Sequence, residues 1–255
     1  MSAWTCRFET RNSVGFMTFR QHLSHLYQTN HRVHLWIAPI RHRLVALTNF
    51  VRPRAIHQTW GTTSLNRRPA LFQALVAMVP DCASLKVLSF GCSTGEEVLD
   101  LLVHYRQGRV FGTDAHRGRL AMAQARIGEA AILFRSSAAN MSQHGPFDLI
   151  VACSVFIRHP EDTHTEDLGR IYPFVQFEEG LRMLYGATRP GGHILIHNSN
   201  YDVMDTSLKK GLTPVSHPAI FQNAEIPCFD RSGRKLPGVL RGPELFRVTP
   251  HTAAA

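Results

Sequence analysis

The residues most suited to chemistry lie in one glycine-bounded segment, Gly91-Cys92-Ser93-Thr94-Gly95-Glu96-Glu97, which directly follows the apolar run Val87–Phe90. A strand that leads through a tight glycine turn into a helix is typical of nucleotide-binding proteins, because glycine lets the backbone approach a ligand. Asp114 ends the next apolar run, 23 residues after Gly91, where a carboxylate can accept both hydroxyls of a ribose. The pattern predicts a site for a nucleoside-containing molecule.

Two ligands fit this outline, a dinucleotide and S-adenosylmethionine, and the acidic residues Glu96 and Glu97 separate them. A dinucleotide places its pyrophosphate on the helix N-terminus, where free N–H groups and the helix dipole attract an anion. Two carboxylates in that first turn suit the dipole but repel a pyrophosphate. S-adenosylmethionine carries a sulfonium and an ammonium and no phosphate, so the acidic turn favours it. An NAD-linked oxidoreductase is the alternative.

The same segment resembles the signature turn of the chemotaxis receptor methyltransferases and of related bacterial class I methyltransferases. Two more segments are similar to class I methyltransferases in general. Phe147–Val151 resembles their fourth strand, and Arg189-Pro190-Gly191-Gly192 before His193–His197 resembles the turn that leads into their fifth strand. The resemblance covers about residues 67–201 and implies an S-adenosylmethionine-dependent methyltransferase.

The resemblance also implies which residues bind the cofactor. Gly91, Cys92 and Gly95 would line its methionine part, Asp114 would hold the ribose, and the Cys153 region would lie beside the sulfonium. The full set of expected cofactor-binding residues is Gly91, Cys92, Ser93, Thr94, Gly95, Asp114, Ala115, Ser137 and Cys153.

Two positions depart from the class I pattern. Many class I enzymes have an acidic residue two positions before the first glycine, where this chain has Ser89. An acidic residue near the adenine often follows their third strand, where this chain has Ser136, Ser137 and Asn140. A serine can still hydrogen-bond the adenine amino group, so we expect cofactor binding to persist.

The methyl acceptor is expected beyond the carboxyl ends of the fourth and fifth strands, because reacting groups in open α/β sheets lie there. This expectation points to Ser154–Tyr172 and Asn198–Tyr201. Arg158 and His159 could hold an acidic acceptor or take a proton. We predict Arg158, His159 and Tyr201 as catalytic residues and Asn198 and Asn200 as substrate-binding residues.

Apolar runs without polar alternation separate helical stretches along the chain, which is typical of strands buried on both faces of a parallel sheet. The expected fold class is α/β: a doubly wound, mostly parallel, seven-stranded Rossmann-like methyltransferase sheet with a basic N-terminal extension. Predicted strands are Lys86–Phe90, Val110–Thr113, Ala131–Phe134, Phe147–Cys153 and His193–His197, with weaker signals near Ile220–Gln222 and Leu245–Val248. One predicted helix begins near Arg68, and three more cover Glu96–Arg106, Arg117–Ile127 and Pro173–Ala187.

Charge divides the 255-residue chain into two parts. Residues 1–68 hold ten arginines, no lysine and one acidic residue, so they carry the whole net charge of +9, and the rest of the chain is neutral. We predict a basic, partly disordered extension over residues 1–66 and a class I methyltransferase domain over residues 67–255. The extension could bind nucleic acid, but the neutral domain gives no reason to favour such a partner.

Composition excludes several classes of protein. The five cysteines are scattered and odd in number, which argues against a disulfide framework or a zinc ribbon and for a reducing compartment. No apolar run reaches the roughly 18 residues of a membrane-spanning helix, and no secretory signal is evident, so we expect a cytoplasmic protein. No metal site is predicted, because the histidine cluster lacks acidic or cysteine partners; its members are His22, His25, His31 and His34.

The sequence therefore predicts S-adenosylmethionine-dependent methyl transfer to an unidentified acceptor: a small molecule, a glycan-related molecule or a protein carboxylate. One alternative is a nucleic-acid methyltransferase steered by the arginine-rich N-terminus. The Asn-Pro-Pro-Tyr-type motif of DNA amino-methyltransferases is absent, since Ala152-Cys153-Ser154-Val155 stands at that place. Another alternative is a non-catalytic S-adenosylmethionine-binding module.

Overall fold

A seven-stranded sheet forms the centre of the computed structural model, which describes residues 57–58, 63–158, 165–216, 226–241 and 244–249. The strand order is β3-β2-β1-β4-β5-β9-β6, and a separate hairpin pairs β7 with β8. Strands β1 to β5 are parallel to one another, and β9 runs antiparallel to both β5 and β6. The strands are β1 (Lys86–Phe90), β2 (Arg109–Asp114), β3 (Ile132–Arg135), β4 (Phe147–Cys153), β5 (Thr188–His197), β6 (Leu212–Val215), β7 (Ile226–Phe229), β8 (Lys235–Arg241) and β9 (Glu244–Val248).

Helices cover both faces of this sheet, which is why its central strands are apolar without alternation. The described helices are α1 (Pro69–Met78), α2 (Glu96–His104), α3 (Arg117–Ile127), α4 (Ala138–His144) and α5 (Phe174–Ala187), with two short 3-10 helices at Val203–Asp205 and Ser207–Gly211. Apolar residues of α1, α2 and α3 form one core with alternate residues of β1, β4 and β5. On the other face, α4 and α5 supply aromatic contacts: His144 stacks on Phe134, and Phe177 lies edge-on to Phe156.

The predicted alternation of strands and helices is confirmed from β1 to β5. The weak strand signal at Leu245–Val248 is also confirmed, as β9. Helix α2 is shorter than predicted and ends at His104, and β5 is longer, because it begins at Thr188 and includes the Pro-Gly-Gly sequence at a register shift against β4. Helix α4 and strands β6, β7 and β8 were missed, and Ile220–Gln222 lies outside the described residues.

The hairpin β7–β8 is attached to the edge of the sheet where the parallel strands end. Strand β6 points in the same direction as β5, because β9 runs antiparallel to both, so β6 also ends at the carboxyl edge. The hairpin follows β6 in the chain. Its backbone bonds to the loops after β4 and β5: Leu168 N–H donates to the Gly233 carbonyl at 2.7 Å, and Phe229 N–H donates to the Asn200 carbonyl at 2.9 Å.

His57 packs into the same body although it precedes α1. Its ring is 3% exposed and lies edge-on to Phe156 and Tyr172, and its Nδ1 is 2.9 Å from the Tyr172 hydroxyl. Gly180 of α5 leaves room for it, since a Cβ there would be 2.4 Å from the ring. Within the described part of the chain, no helix has the length and apolar character needed to cross a membrane.

Candidate active site

The turn between β1 and α2 lies against the end of β2. The N–H groups of Gly91 and Cys92 both donate to the Thr113 carbonyl, at 2.8 and 2.9 Å. Gly91, Ser93 and Gly95 have positive φ angles of 78°, 51° and 94°. These contacts and angles fold the predicted cofactor segment into a tight loop at the carboxyl edge.

Gly91 and Gly95 are required by close packing as well as by backbone conformation. A Cβ on Gly91 would lie 2.6 Å from Val155 Cγ2, in the segment that follows β4. A Cβ on Gly95 would lie 2.7 Å from Ile127 Cδ1 and 3.1 Å from Ala123 Cβ, both in α3. Gly91 thus brings the turn close to the end of β4, and Gly95 lets α2 begin against α3.

Asp114 connects the turn to the end of β2. Its Oδ2 accepts the Ser93 N–H at 2.9 Å, and its Oδ1 accepts the His116 N–H at 2.7 Å. The residue is 8% exposed. Each carboxylate oxygen has a further lone pair, so the fixed carboxylate can still accept hydroxyl donors. Asp114 therefore has the position and the chemistry expected of a ribose ligand.

A second carboxylate, Glu97, lies on the other side of the turn. Ser89 Oγ donates to Glu97 Oε1 at 2.7 Å, and the thiol of Cys153 also hydrogen-bonds this carboxyl group. Burial raises the pKa of Glu97, and these hydrogen bonds only partly offset the effect. A carboxylate from the first turn of α2 thus lies beside Ser89, the position at which many class I enzymes have an acidic residue.

Glu96 has a different role from Glu97. It forms an ion pair with Arg126 of α3 and accepts a hydrogen bond from Thr94 Oγ1 at 2.6 Å. Burial opposes its ionisation, but the bonds from Thr94 and Arg126 outweigh burial and hold its pKa below the usual value. Glu96 therefore joins two helices and leaves Glu97 as the carboxylate beside the end of β4.

Two arginines before α1 reach this edge. Arg68 Nε–H donates to His197 Nε2 at 3.2 Å, and its Nη2 donates to Ser154 Oγ at 3.1 Å. Arg67 is exposed, and its charge interacts with Cys153 and Glu97. Burial and the two arginines lower the pKa of His197 to about 3, so this imidazole is neutral at physiological pH. The sequence analysis missed Arg68, because nothing in the spacing shows that it meets strands that end far along the chain.

The predicted acceptor residues divide into two groups. Asn198 lies at the edge, where its Nδ2 donates to Ser154 Oγ at 3.1 Å. Arg158, Asn200 and Tyr201 are 2%, 2% and 0% exposed and form a buried framework. His159 lies outside the described residues. The catalytic and substrate-binding roles of these residues stay predictions.

Hydrogen bonds tie this buried framework to both loops and to the hairpin. Asn200 Oδ1 accepts the Arg158 N–H at 2.7 Å, and Asn200 Nδ2 donates to the Pro227 carbonyl at 3.2 Å. The Arg158 guanidinium lies 5.0 Å from the Tyr172 ring centroid, and Tyr201 donates its hydroxyl to the Tyr172 carbonyl at 2.5 Å. The loops after β4 and β5 are thereby held in fixed positions around the edge.

Two other predicted cofactor residues follow β2 and β3. Ala115 is half-buried and lies directly after Asp114, whose carboxylate accepts the N–H of the next residue, His116. Ser137 caps α4, where its Oγ accepts the Asn140 N–H at 3.1 Å. Because β3, β2, β1 and β4 are neighbours in the sheet, their carboxyl ends bring Ser137, Asp114, the glycine turn and Cys153 to one edge.

These side chains fit S-adenosylmethionine by their chemistry. Glu97 suits an ammonium, Arg67 suits a carboxylate, and Asp114 suits ribose hydroxyls. A pyrophosphate on the same turn would face Glu96 and Glu97.

Comparisons with known proteins found one family match and several similar solved structures. Residues 87–192 match the family model described as a methyltransferase domain. Comparison with curated proteins found no match. Among solved structures, the chain is similar to an S-adenosylmethionine-dependent methyltransferase from Clostridium acetobutylicum, with 11% identity over 71% of this chain and 91% of that chain and a TM-score of 0.45. It is also similar to a TehB-like SAM-dependent methyltransferase from Corynebacterium glutamicum, with 16% identity over 87% of this chain and the whole of that chain and a TM-score of 0.45.

A third similar structure is CalS10, an amino pentose methyltransferase from Micromonospora echinaspora. The identity is 15%, the TM-score is 0.41, and the match covers 64% of this chain but only 55% of the CalS10 chain. At such low identity these resemblances say nothing about the acceptor. Residues 87–192 of this chain therefore match a methyltransferase domain, and the described side chains around the glycine turn have the chemistry that S-adenosylmethionine requires.

Proposed function

We propose that this chain transfers the methyl group of S-adenosylmethionine to an acceptor bound beside the ends of β4 and β5. The observation that carries this proposal is the pair of fixed carboxylates on either side of the glycine turn. Asp114 is held by the Ser93 N–H, and Glu97 is held by Ser89, so each can bind one end of the cofactor. The span between them leaves the Cys153 end of β4 for the reacting centre.

The protein's contribution to such a reaction is mainly orientation. Bound S-adenosylmethionine supplies a methyl group on a positively charged sulfur. The glycine turn and Asp114 hold the cofactor, and the polar groups of Ser154 and Asn198 are available to the acceptor. Correct placement of two reactants can supply about 7–11 kcal/mol of the barrier reduction, so no elaborate catalytic group is needed. Arg158 and Tyr201 act as positioning residues in this proposal, because their hydrogen bonds fix the surrounding loops.

Further parts of the sequence prediction stay proposals. The acceptor is a small molecule, a glycan-related molecule or a protein carboxylate, and the turn's resemblance to chemotaxis receptor methyltransferases supports the last. Nucleic acid bound through residues 1–66 is the alternative acceptor, and a cytoplasmic location goes with the reducing environment inferred from the cysteines. A non-catalytic binding module would have the same cofactor site but transfer no methyl group.

The proposal is tested by calorimetry and by transfer of label. S-adenosylmethionine and S-adenosylhomocysteine should bind, and NAD should not. Incubation with methyl-labelled cofactor and fractionated cell extract should then label an acceptor. Tighter binding of NAD than of S-adenosylmethionine would refute the cofactor assignment, and binding without any transfer would favour the non-catalytic module.

A further inference from the structure

Arg68 places a guanidinium between the ends of β4 and β5. Its Nε–H is bonded to His197 and one Nη2–H to Ser154, which leaves the second Nη2–H and both Nη1–H groups outside these contacts. These remaining N–H groups lie along one edge of the planar guanidinium, and this edge can donate two parallel hydrogen bonds to a carboxylate. Arg68 is therefore oriented by the protein and still has donors to offer.

The neighbouring groups are donors as well. Ser154 Oγ accepts hydrogen bonds from Arg68 and from Asn198 Nδ2, both at 3.1 Å, so its own hydroxyl proton points away from them. Both Ser154 and Asn198 have positive φ angles, of 55° and 64°, which is uncommon for residues other than glycine. A ligand that meets Arg68, Ser154 and the amide nitrogen of Asn198 is thus offered N–H and O–H groups. An ionised carboxylate, which only accepts hydrogen bonds, complements such a surface.

The two groups next to Arg68 and Ser154 that could act as a base, His197 and Cys153, are poorly placed to remove a proton from an acceptor. The basic nitrogen of His197, Nε2, already accepts the Arg68 Nε–H. Burial also lowers the pKa of His197 to about 3, and burial raises the pKa of Cys153 well above its usual range, so the thiol stays protonated. An acceptor that arrives already ionised needs no base.

We propose that the methyl acceptor is a carboxylate, bound by Arg68 together with Ser154 and Asn198, and that the product is a methyl ester. This inference rests on the proposed function. The carboxylate oxygen donates a lone pair to the methyl carbon while the bond from that carbon to sulfur breaks. The electron pair of the broken bond remains on sulfur, which becomes a neutral thioether, and no proton is gained or lost.

Alkaline treatment of the labelled product tests the acceptor's chemistry. The protein is incubated with methyl-labelled S-adenosylmethionine and cell extract, and the product is exposed to base. A methyl ester releases its label as volatile methanol, and separation by size beforehand distinguishes a protein carboxylate from a small-molecule one. Label that survives base would overturn the carboxylate inference and leave methyl transfer intact. Absence of any transfer, with S-adenosylhomocysteine still bound, would overturn the proposed function as well.

Arginine variants test whether Arg68 serves the acceptor or the cofactor. Arg68→Ala should reduce transfer at least about 50-fold and change the affinity for S-adenosylhomocysteine less than about twofold, and Arg68→Lys should recover part of the rate. Arg67→Ala should instead weaken S-adenosylhomocysteine binding. Arg106→Ala, at an exposed arginine whose Nε donates to the nearby Val103 carbonyl, should change neither. If Arg68→Ala weakened S-adenosylhomocysteine binding as much as Arg67→Ala did, Arg68 would be a cofactor ligand and the inference would be wrong.

Discussion

Replacement of Asp114 by alanine should affect both stability and cofactor binding. The side chain accepts two backbone N–H groups, from Ser93 at 2.9 Å and His116 at 2.7 Å. Hydrogen bonds to charged groups contribute about 1.5–3 kcal/mol each, and water can replace the more exposed one. We therefore expect Asp114→Ala to lower the free energy of unfolding of the cofactor-free protein by about 3 kcal/mol. Its affinity for S-adenosylhomocysteine should fall about 10- to 100-fold.

Asp81 provides a matched control for this experiment. Its carboxylate also accepts two backbone N–H groups, from Gln107 and Gly108, each at 2.9 Å, but on the turn before β2, at the opposite end of that strand from Asp114. Asp81→Ala should lower the free energy of unfolding and leave cofactor affinity unchanged. Asp114→Asn, which keeps one acceptor oxygen, should fall between wild type and Asp114→Ala in both quantities.

Chemical denaturation and calorimetry measure the two effects. If cofactor-free Asp114→Ala were as stable as wild type, Asp114 would not hold the turn. If its affinity for S-adenosylhomocysteine equalled that of Asp81→Ala, Asp114 would not be a cofactor ligand.

Three further predictions concern the residues around the site. Gly95→Ala should lower the free energy of unfolding by about 2–4 kcal/mol, because its positive φ and the contact of a Cβ with α3 add. Gly186→Ala, in helix α5 with open space around it and no positive φ, should not lower it, and equal losses in chemical denaturation would contradict the packing. Glu97→Gln should stabilise the cofactor-free protein at neutral pH, since burial raises the pKa of Glu97, and this gain in stability should vanish below about pH 4. The same substitution should weaken S-adenosylhomocysteine binding at least about tenfold, and an unchanged affinity would exclude Glu97 as the ammonium ligand. Burial lowers the pKa of His57 to about 3. The free energy of unfolding of the wild type should therefore be about 2 kcal/mol lower at pH 5 than at pH 7, and His57→Gln should not show this decrease. Parallel pH profiles of the two proteins would refute the burial of a neutral imidazole.

The fold could be predicted from β1 to β5 because the signals there are local. Buried central strands are apolar throughout, and the helices between them begin at turn residues such as Gly95. Strands β6, β7 and β8 carry no such signal. Each is short or interrupted by proline, as at Pro214, Pro227 and Pro237, and is only partly buried. Helix α4 was missed because a single buried residue, Met141, gives it no visible apolar face.

The sequence by itself determined the glycine turn, the acidic start of α2 and Asp114, since these residues lie within one strand–turn–helix–strand unit. Tertiary structure alone decided which of the two acidic residues lies beside the end of β4. Glu97 takes that place because Ser89 and Cys153, on β1 and β4, bond to it, whereas Glu96 is taken up by Arg126.

The acceptor side depended still more on long-range packing. Arg158 and Tyr201 looked like free polar groups in loops, yet both are buried and bonded within the framework around Tyr172. Arg68 gave no sign of function in the sequence. It reaches Ser154 and His197 because α1 packs across α2 and the ends of β4 and β5 are adjacent in the sheet, an arrangement that sequence spacing does not encode.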